Sequence, residues 1–287
     1  MRRLIVNADD FGLTSGVNRA IALANAEGIL TSATVMANSR AFDGAVQIAQ
    51  KKPTLKTGCH VVLIDGEPLT RDCKTLTNGT HRFRSGLKDF AAAAVRNRIS
   101  PEEIQQEVEA QICKLQANGL DVTHVDSHKH THMFPHVLSP ILRAAKVCGV
   151  RAVRNPFEPW RCWPRSAVLG STSMWLRSIG VSCFSVFSTA FRKAVQSEGI
   201  STTDGTVGVV ATGKLDTNLL LAMLEALPEG TWELVCHPGY SDDDLKTAGT
   251  RLTKSREIEL HALTSPEVRS RIARLGIELI SYADLRS

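Results

Sequence analysis

Two rhythms of apolar and polar positions alternate along the chain. Short apolar runs predict strands at 3–7, 31–37, 56–63, 121–126, 150–154, 207–211, 232–236 and 276–281. Between most of them apolar residues return every three or four positions, which predicts helices at 17–27, 42–51, 101–118, 136–148, 217–226 and 265–275. Ser15 is placed to cap the first helix, and Ser100-Pro101-Glu102-Glu103 supplies a cap, a proline at the first helical position and acids in the first turn. Eight strands interleaved with helices predict a parallel sheet, open or closed, and the 287 residues fit one α/β domain of (β/α) barrel-like type.

A barrel of that type carries its chemistry just beyond the carboxyl ends of its strands. Asp9 and Asp10 follow the first run, Asn38 the second, His128 the fourth and His237 the seventh; Arg154 ends the fifth, and His60 lies inside the third. Two longer stretches, 65–87 and 157–191, are expected as loop insertions at the same face. The second holds Trp160, Trp163 and Trp175, with Phe184, Phe187 and Phe191 on one helical face. That spacing predicts a helix facing the core; with Arg165, Arg177 and Arg192 nearby, the alternative is a surface for a lipid or peripheral membrane contact.

Composition excludes several classes. The net charge is only +5, without a dense basic block or basic-aromatic interleaving, so no nucleic-acid partner is expected. No apolar run approaches the roughly 18 residues of a membrane span, and the start, Met1-Arg2-Arg3 and a brief apolar stretch, does not read as a signal peptide. A cytoplasmic protein is expected. Seven cysteines without a Cys-x-x-Cys pair point to reduced thiols rather than a disulfide framework or a zinc knot. The sequence leaves a homo-oligomer open.

The densest chemistry is His124-Val125-Asp126-Ser127-His128-Lys129-His130-Thr131-His132. Buried imidazole is costly without a partner, and a divalent cation takes imidazole and carboxylate. In an extended chain Asp126, His128 and His130 share a face; a solvated histidine-rich loop is the plain alternative. Asp9 and Asp10 repel each other unless a cation lets one ligate while the other stays a base; otherwise Asp10 or Thr14 opens a helix. His60 alone reads as a core histidine, and His237, before Pro238-Gly239, as a turn residue held at the sheet edge. Arg154 suits a carboxylate or substrate oxygens, and equally an ion pair with Asp126 or Glu158.

Together these residues resemble the YdjC-like carbohydrate deacetylases, which include the chitooligosaccharide deacetylases. The resemblance rests on Asn7-Ala8-Asp9-Asp10-Phe11-Gly12, Gly58-x-His60, Asp126-x-His128-x-His130-x-His132, Arg154-x-Pro156 and His237-Pro238-Gly239-Tyr240. It implies a barrel-like fold and one divalent metal held by Asp10, His60 and His128, with Asp9 as general base and His237 as acid or transition-state stabiliser. Arg154, His130, His132, Asp126 and Asn38 are then substrate-binding or supporting residues. The expected metal is Mg or Zn, with Co or Ni also suited; two imidazoles and one carboxylate favour the softer ions over Mg. The expected reaction is metal-assisted hydrolysis of an N-acetyl group on an amino sugar. Val61–Gly66 and the 153–159 segment resemble the hopanoid-biosynthesis-associated members, which implies a lipid-linked sugar. A metal phosphoesterase and a non-catalytic sugar-binding module are the competing readings.

Overall fold

The computed structural model describes residues 1–163, Ser178 and 184–285. Its centre is β1 (Arg2–Phe11), flanked along one side by β6 (Gly230–Cys236) and, beyond that, by β5 (Gly205–Val207). The other side of β1 pairs with β7 (Ile277–Ile280) through residues 2–5 and with β2 (Ser32–Val35) from Asn7 onward. β3 (Lys56–Val61) and β4 (Val122–Ser127) continue the sheet, and every pairing is parallel. All but the first two residues of β1 are buried, as expected for a parallel strand covered on both faces. The sheet curls into the barrel-like α/β fold predicted from the alternation of runs.

Its edges approach each other through irregular chain. Val153 bridges Val125 of β4, Ala152 bridges Ser201, and the Thr206 N–H donates to the Phe157 carbonyl. The strand expected at 150–154 is therefore reduced to isolated bridges. The run expected at 207–211 moves back to β5. Gly208 has a φ of 100°, and the N–H groups of Gly208 and Val210 bond the Glu158 carboxylate instead of a neighbouring strand.

The helices anticipated between strands are α1 (Ser15–Glu27), α2 (Phe42–Lys51), α4 (Pro101–Ala117), α5 (Pro135–Val147), α7 (Thr217–Ala226) and α10 (Pro266–Arg274). Thr14, not Ser15, caps α1: its hydroxyl accepts the Val17 N–H, and Ser15 is the first helical residue. Ser100 caps α4 as predicted. Helices α3 (Leu87–Val95), α8 (Asp243–Thr247) and α9 (Lys254–Leu263) were not anticipated. No helix among the described residues is long and apolar enough to cross a membrane.

The 65–87 segment is tied down from below. Buried Glu107 accepts the N–H groups of Leu69 and Thr70, and Glu103 accepts those of Thr75 and Leu76. Of the 157–191 segment, Arg165, Trp175 and Arg177 lie outside the described residues. Phe184 and Phe187 pack on Phe134, while Phe191, which begins the second turn of α6 (Ser188–Ser197), is buried against Phe157. The aromatic face therefore turns toward the core, as its spacing predicted, and Arg192 donates to the Asp204 carbonyl.

Candidate active site

Side chains of neighbouring strand residues normally point to opposite faces. Between Ala8 and Phe11 the register of β1 against β2 shifts by a residue, and Asp10 takes a φ of 65°. This bulge aims both Asp9 and Asp10 into one polar cluster, although β1 itself runs through Phe11 rather than ending before them.

Asp10 Oδ1 lies 3.5 Å from His60 Nε2 and 3.4 Å from His128 Nδ1, and those two nitrogens are 3.4 Å apart. Three lone-pair donors from β1, β3 and the end of β4 thus converge on one point. Asp10 and His60 are buried, and His128, 23 % exposed, opens the cluster to solvent. His60 Nδ1 sits 2.7 Å from Asp126 Oδ1, and Thr34 Oγ1 donates to Asp126 Oδ2 at 2.9 Å. An Nδ1–H held by a carboxylate leaves Nε2 as the lone pair facing the cluster, the arrangement that orients metal-binding histidines. Burial would lower His60, but Asp126, with Asp9 and Asp10 behind it, pushes it up to about 9.

Arg154 is the hub of the second half. Its guanidinium, fully buried, grips Asp9 with two bonds of 2.8 and 2.6 Å, Glu233 with two of 2.9 and 2.7 Å, and Asp126 at 2.8 Å. The open choice between Asp126 and Glu158 as its partner thus resolves to Asp126. Burial would raise the Asp9 carboxyl, yet Arg154 outweighs it and holds Asp9 well below the usual range. Tyr282 donates to the other Glu233 oxygen, and its ring stacks on His124, which in turn meets Asn7.

Helix α9 reaches the site from the far end of the sequence. Arg256 Nη2 donates to Asp10 Oδ2 at 2.5 Å while its Nε donates to the Leu252 carbonyl. Despite burial, this cation holds Asp10 well below its ordinary value. One turn later Glu259 accepts the His237 N–H at 2.6 Å and lies 3.8 Å from its Nδ1. Burial would lower His237, but Glu259 raises it, and its Nε2 faces Asp9 Oδ2 at 3.9 Å. Gly239 seats this helix: a Cβ there would stand 2.9 Å from Arg256 Cδ and 3.1 Å from Val17 Cγ2.

Of the residues expected from sequence, Asp9, Asp10, His60, Asp126, His128, Arg154 and His237 are brought together. His130 and His132 leave the strand direction, because Lys129 and His130 both adopt φ of 54°. His132 Nδ1 bonds the Ser127 hydroxyl, and burial keeps both rings low, His130 at about 3. Asn38 stands apart from the cluster: its amide donates to the Glu67 carbonyl beside a cavity of about 560 Å³ under the 65–87 loop. Thr34, Glu233, Arg256, Glu259 and Tyr282 were not foreseen. A lone acid in the apolar run Trp232-Glu233-Leu234 was the available signal, since buried acids need partners.

The donor set fits a divalent cation. Asp9, Asp10, Asp126, Glu233 and Glu259 bring five buried carboxylates against the guanidiniums of Arg154 and Arg256, so acids outnumber the fixed cations of the site. The YdjC-like protein family model matches residues 3–274.

The chain belongs to the YdjC-like family. Among its relatives, two bear the name carbohydrate deacetylase. The Brevibacillus brevis protein is 35% identical over 284 residues, 99% of each chain. The Vibrio parahaemolyticus protein is 31% identical over 99% of this chain and 97% of its own. A crystal structure of an Enterococcus faecalis V583 protein superposes with a TM-score of 0.78 at 25% identity, covering 100% of this chain and 99% of that one.

Proposed function

We propose that this YdjC-like chain is a metal-dependent carbohydrate N-deacetylase that removes the acetyl group from an N-acetylated amino sugar. The observation that carries the reading is the convergence of Asp10 Oδ1, His60 Nε2 and His128 Nδ1 beside the Asp9–Arg154 pair. The names of the relatives supply the substrate class. Asp10, His60 and His128 would hold one divalent ion, Zn, Co or Ni before Mg by donor softness. When bound, such an ion supplies Lewis acidity to the amide carbonyl and acidifies the attacking water.

The remaining chemistry belongs to the chain. Asp9 accepts the proton of the attacking water. Arg154 fixes its position and keeps it ionised, so a carboxylate oxygen is held ready to accept. His237, whose protonated form Glu259 favours, gives its Nε2 proton to the departing nitrogen as the carbon–nitrogen bond breaks, releasing acetate and a free amine. His60 holds its place through Asp126.

Asp9→Asn tests the assignment: it should keep metal affinity and lose about 10²–10⁴ in turnover, read as acetate released with each metal added. Unchanged turnover, or lost metal, would remove Asp9 from the base role. Chitooligosaccharides and a hopanoid-linked N-acetylglucosaminide, assayed side by side, decide whether the sugar is lipid-borne; equal turnover of both would reject the lipid as a determinant.

A further inference from the structure

Helices α4 and α5 lie against each other and bring two cysteines from distant parts of the sequence together. The sulfurs of Cys113 and Cys148 are 3.9 Å apart. Cys59, Cys73, Cys162 and Cys236 are buried, whereas Cys113 is exposed and Cys148 half-buried. The end of α5 is held in register with α4, because Gln116 donates to the Cys148 carbonyl at 2.8 Å. Cys148 follows the last turn of α5, and Gly149, with a φ of 75°, turns the chain away immediately after it. A bonded sulfur pair needs roughly 2.05 Å, and the terminal position of Cys148 lets its side chain close that gap without breaking a helix interior.

We propose that Cys113 and Cys148 form a disulfide-forming dithiol, a reversible oxidation site outside the Asp/His cluster that takes a hydroperoxide as its oxidant. The Cys113 thiolate attacks the peroxide, the oxygen–oxygen bond breaks, and a sulfenic acid and water result when hydrogen peroxide is used. The Cys148 sulfur then attacks the Cys113 sulfur; the carbon-bound sulfurs join, and the hydroxyl leaves with the Cys148 proton as a second water. Two thiols and one peroxide become one disulfide and two waters, and an added dithiol reverses the change by exchange.

The two sulfurs divide the work by their surroundings. Exposure lets Cys113 meet the oxidant first. Burial, the Cys113 sulfur beside it and the Glu109 carboxylate push the Cys148 thiol up, which disfavours it as the first sulfur to react. The bond would close a loop that contains β4, the His128–Met133 turn and α5, and so restrict the unfolded chain.

The test is to treat reduced native protein with equimolar hydrogen peroxide, alkylate the remaining thiols, digest and map. The expected result is a peptide linking Cys113 to Cys148, lighter by about two mass units than its reduced halves. The melting temperature should rise by several degrees and return on adding dithiothreitol. Cys113→Ser and Cys148→Ser, assayed separately, should yield no linked peptide and no peroxide-dependent shift. Three results would overturn the proposal: both cysteines fully alkylated after oxidation, a bond to Cys59 or any other cysteine, or Cys113 driven to sulfinic acid with Cys148 still free.

Discussion

Glu158 offers a quantitative check on how burial and amide donors compete. Its side chain is almost wholly enclosed, and the Gly208 and Val210 N–H groups donate to its two oxygens at 3.1 and 2.9 Å. Burial raises the carboxyl and these amides oppose it, leaving Glu158 at about 7 against an ordinary 4.5. Between those values the folded protein binds a proton that the unfolded chain has released. The contribution to stability is therefore full below about pH 4.5 and gone above about pH 7, with a total of about 3 kcal/mol at 1.36 kcal/mol per unit. Glu158→Gln removes the titration while keeping one carbonyl acceptor. Urea unfolding of both proteins at pH 5, 6, 7 and 8 gives the difference directly, and subtracting the variant cancels other groups that titrate in the window. Wild type should lose about 2–3 kcal/mol relative to Glu158→Gln on going from pH 5 to pH 8. Parallel pH profiles would mean that Glu158 releases its proton at the same pH folded and unfolded. Wild type gaining on the variant as pH rises would show that the amide donors outweigh enclosure.

Two other changes probe the site. Asp126→Asn takes the carboxylate from His60 Nδ1 and should weaken divalent-metal affinity by about 10–100-fold in calorimetric titration; an unchanged affinity would deny Asp126 its orienting role. Gly239→Ala drives a methyl into the stem of Arg256, whose head is fixed at both ends, and should cost about 1–3 kcal/mol in denaturant unfolding, with metal affinity falling alongside; a neutral result would mean the helix shifts freely.

Much of the fold was legible because parallel strands buried on both faces leave continuous apolar runs, as at Leu4–Val6 and Leu234–Cys236. The fifth run failed because Ala152 and Val153 are apolar for packing while their backbone pairs only at single bridges. The grouping of Asp9, Asp10, His60 and His128 came from the family resemblance and the barrel's strand ends, since His60 alone reads as a core histidine. Arg256 and Glu259 were not, since Lys254–Leu263 is rich in charge and has the composition of a solvated helix. Nothing local reveals that Asp10, 246 positions away, faces it. The bulge at Asp9 and Asp10 was equally hidden, because the pattern there is that of an ordinary strand end.

One helix carries both the guanidinium that restrains Asp10 and the carboxylate that restrains His237. Any tilt or slide of that cylinder would displace the two together. The Asp10 and His237 sides of the pocket are thereby geared to each other, and sequence drift on this helix's outward face stays harmless only while its axis does not move.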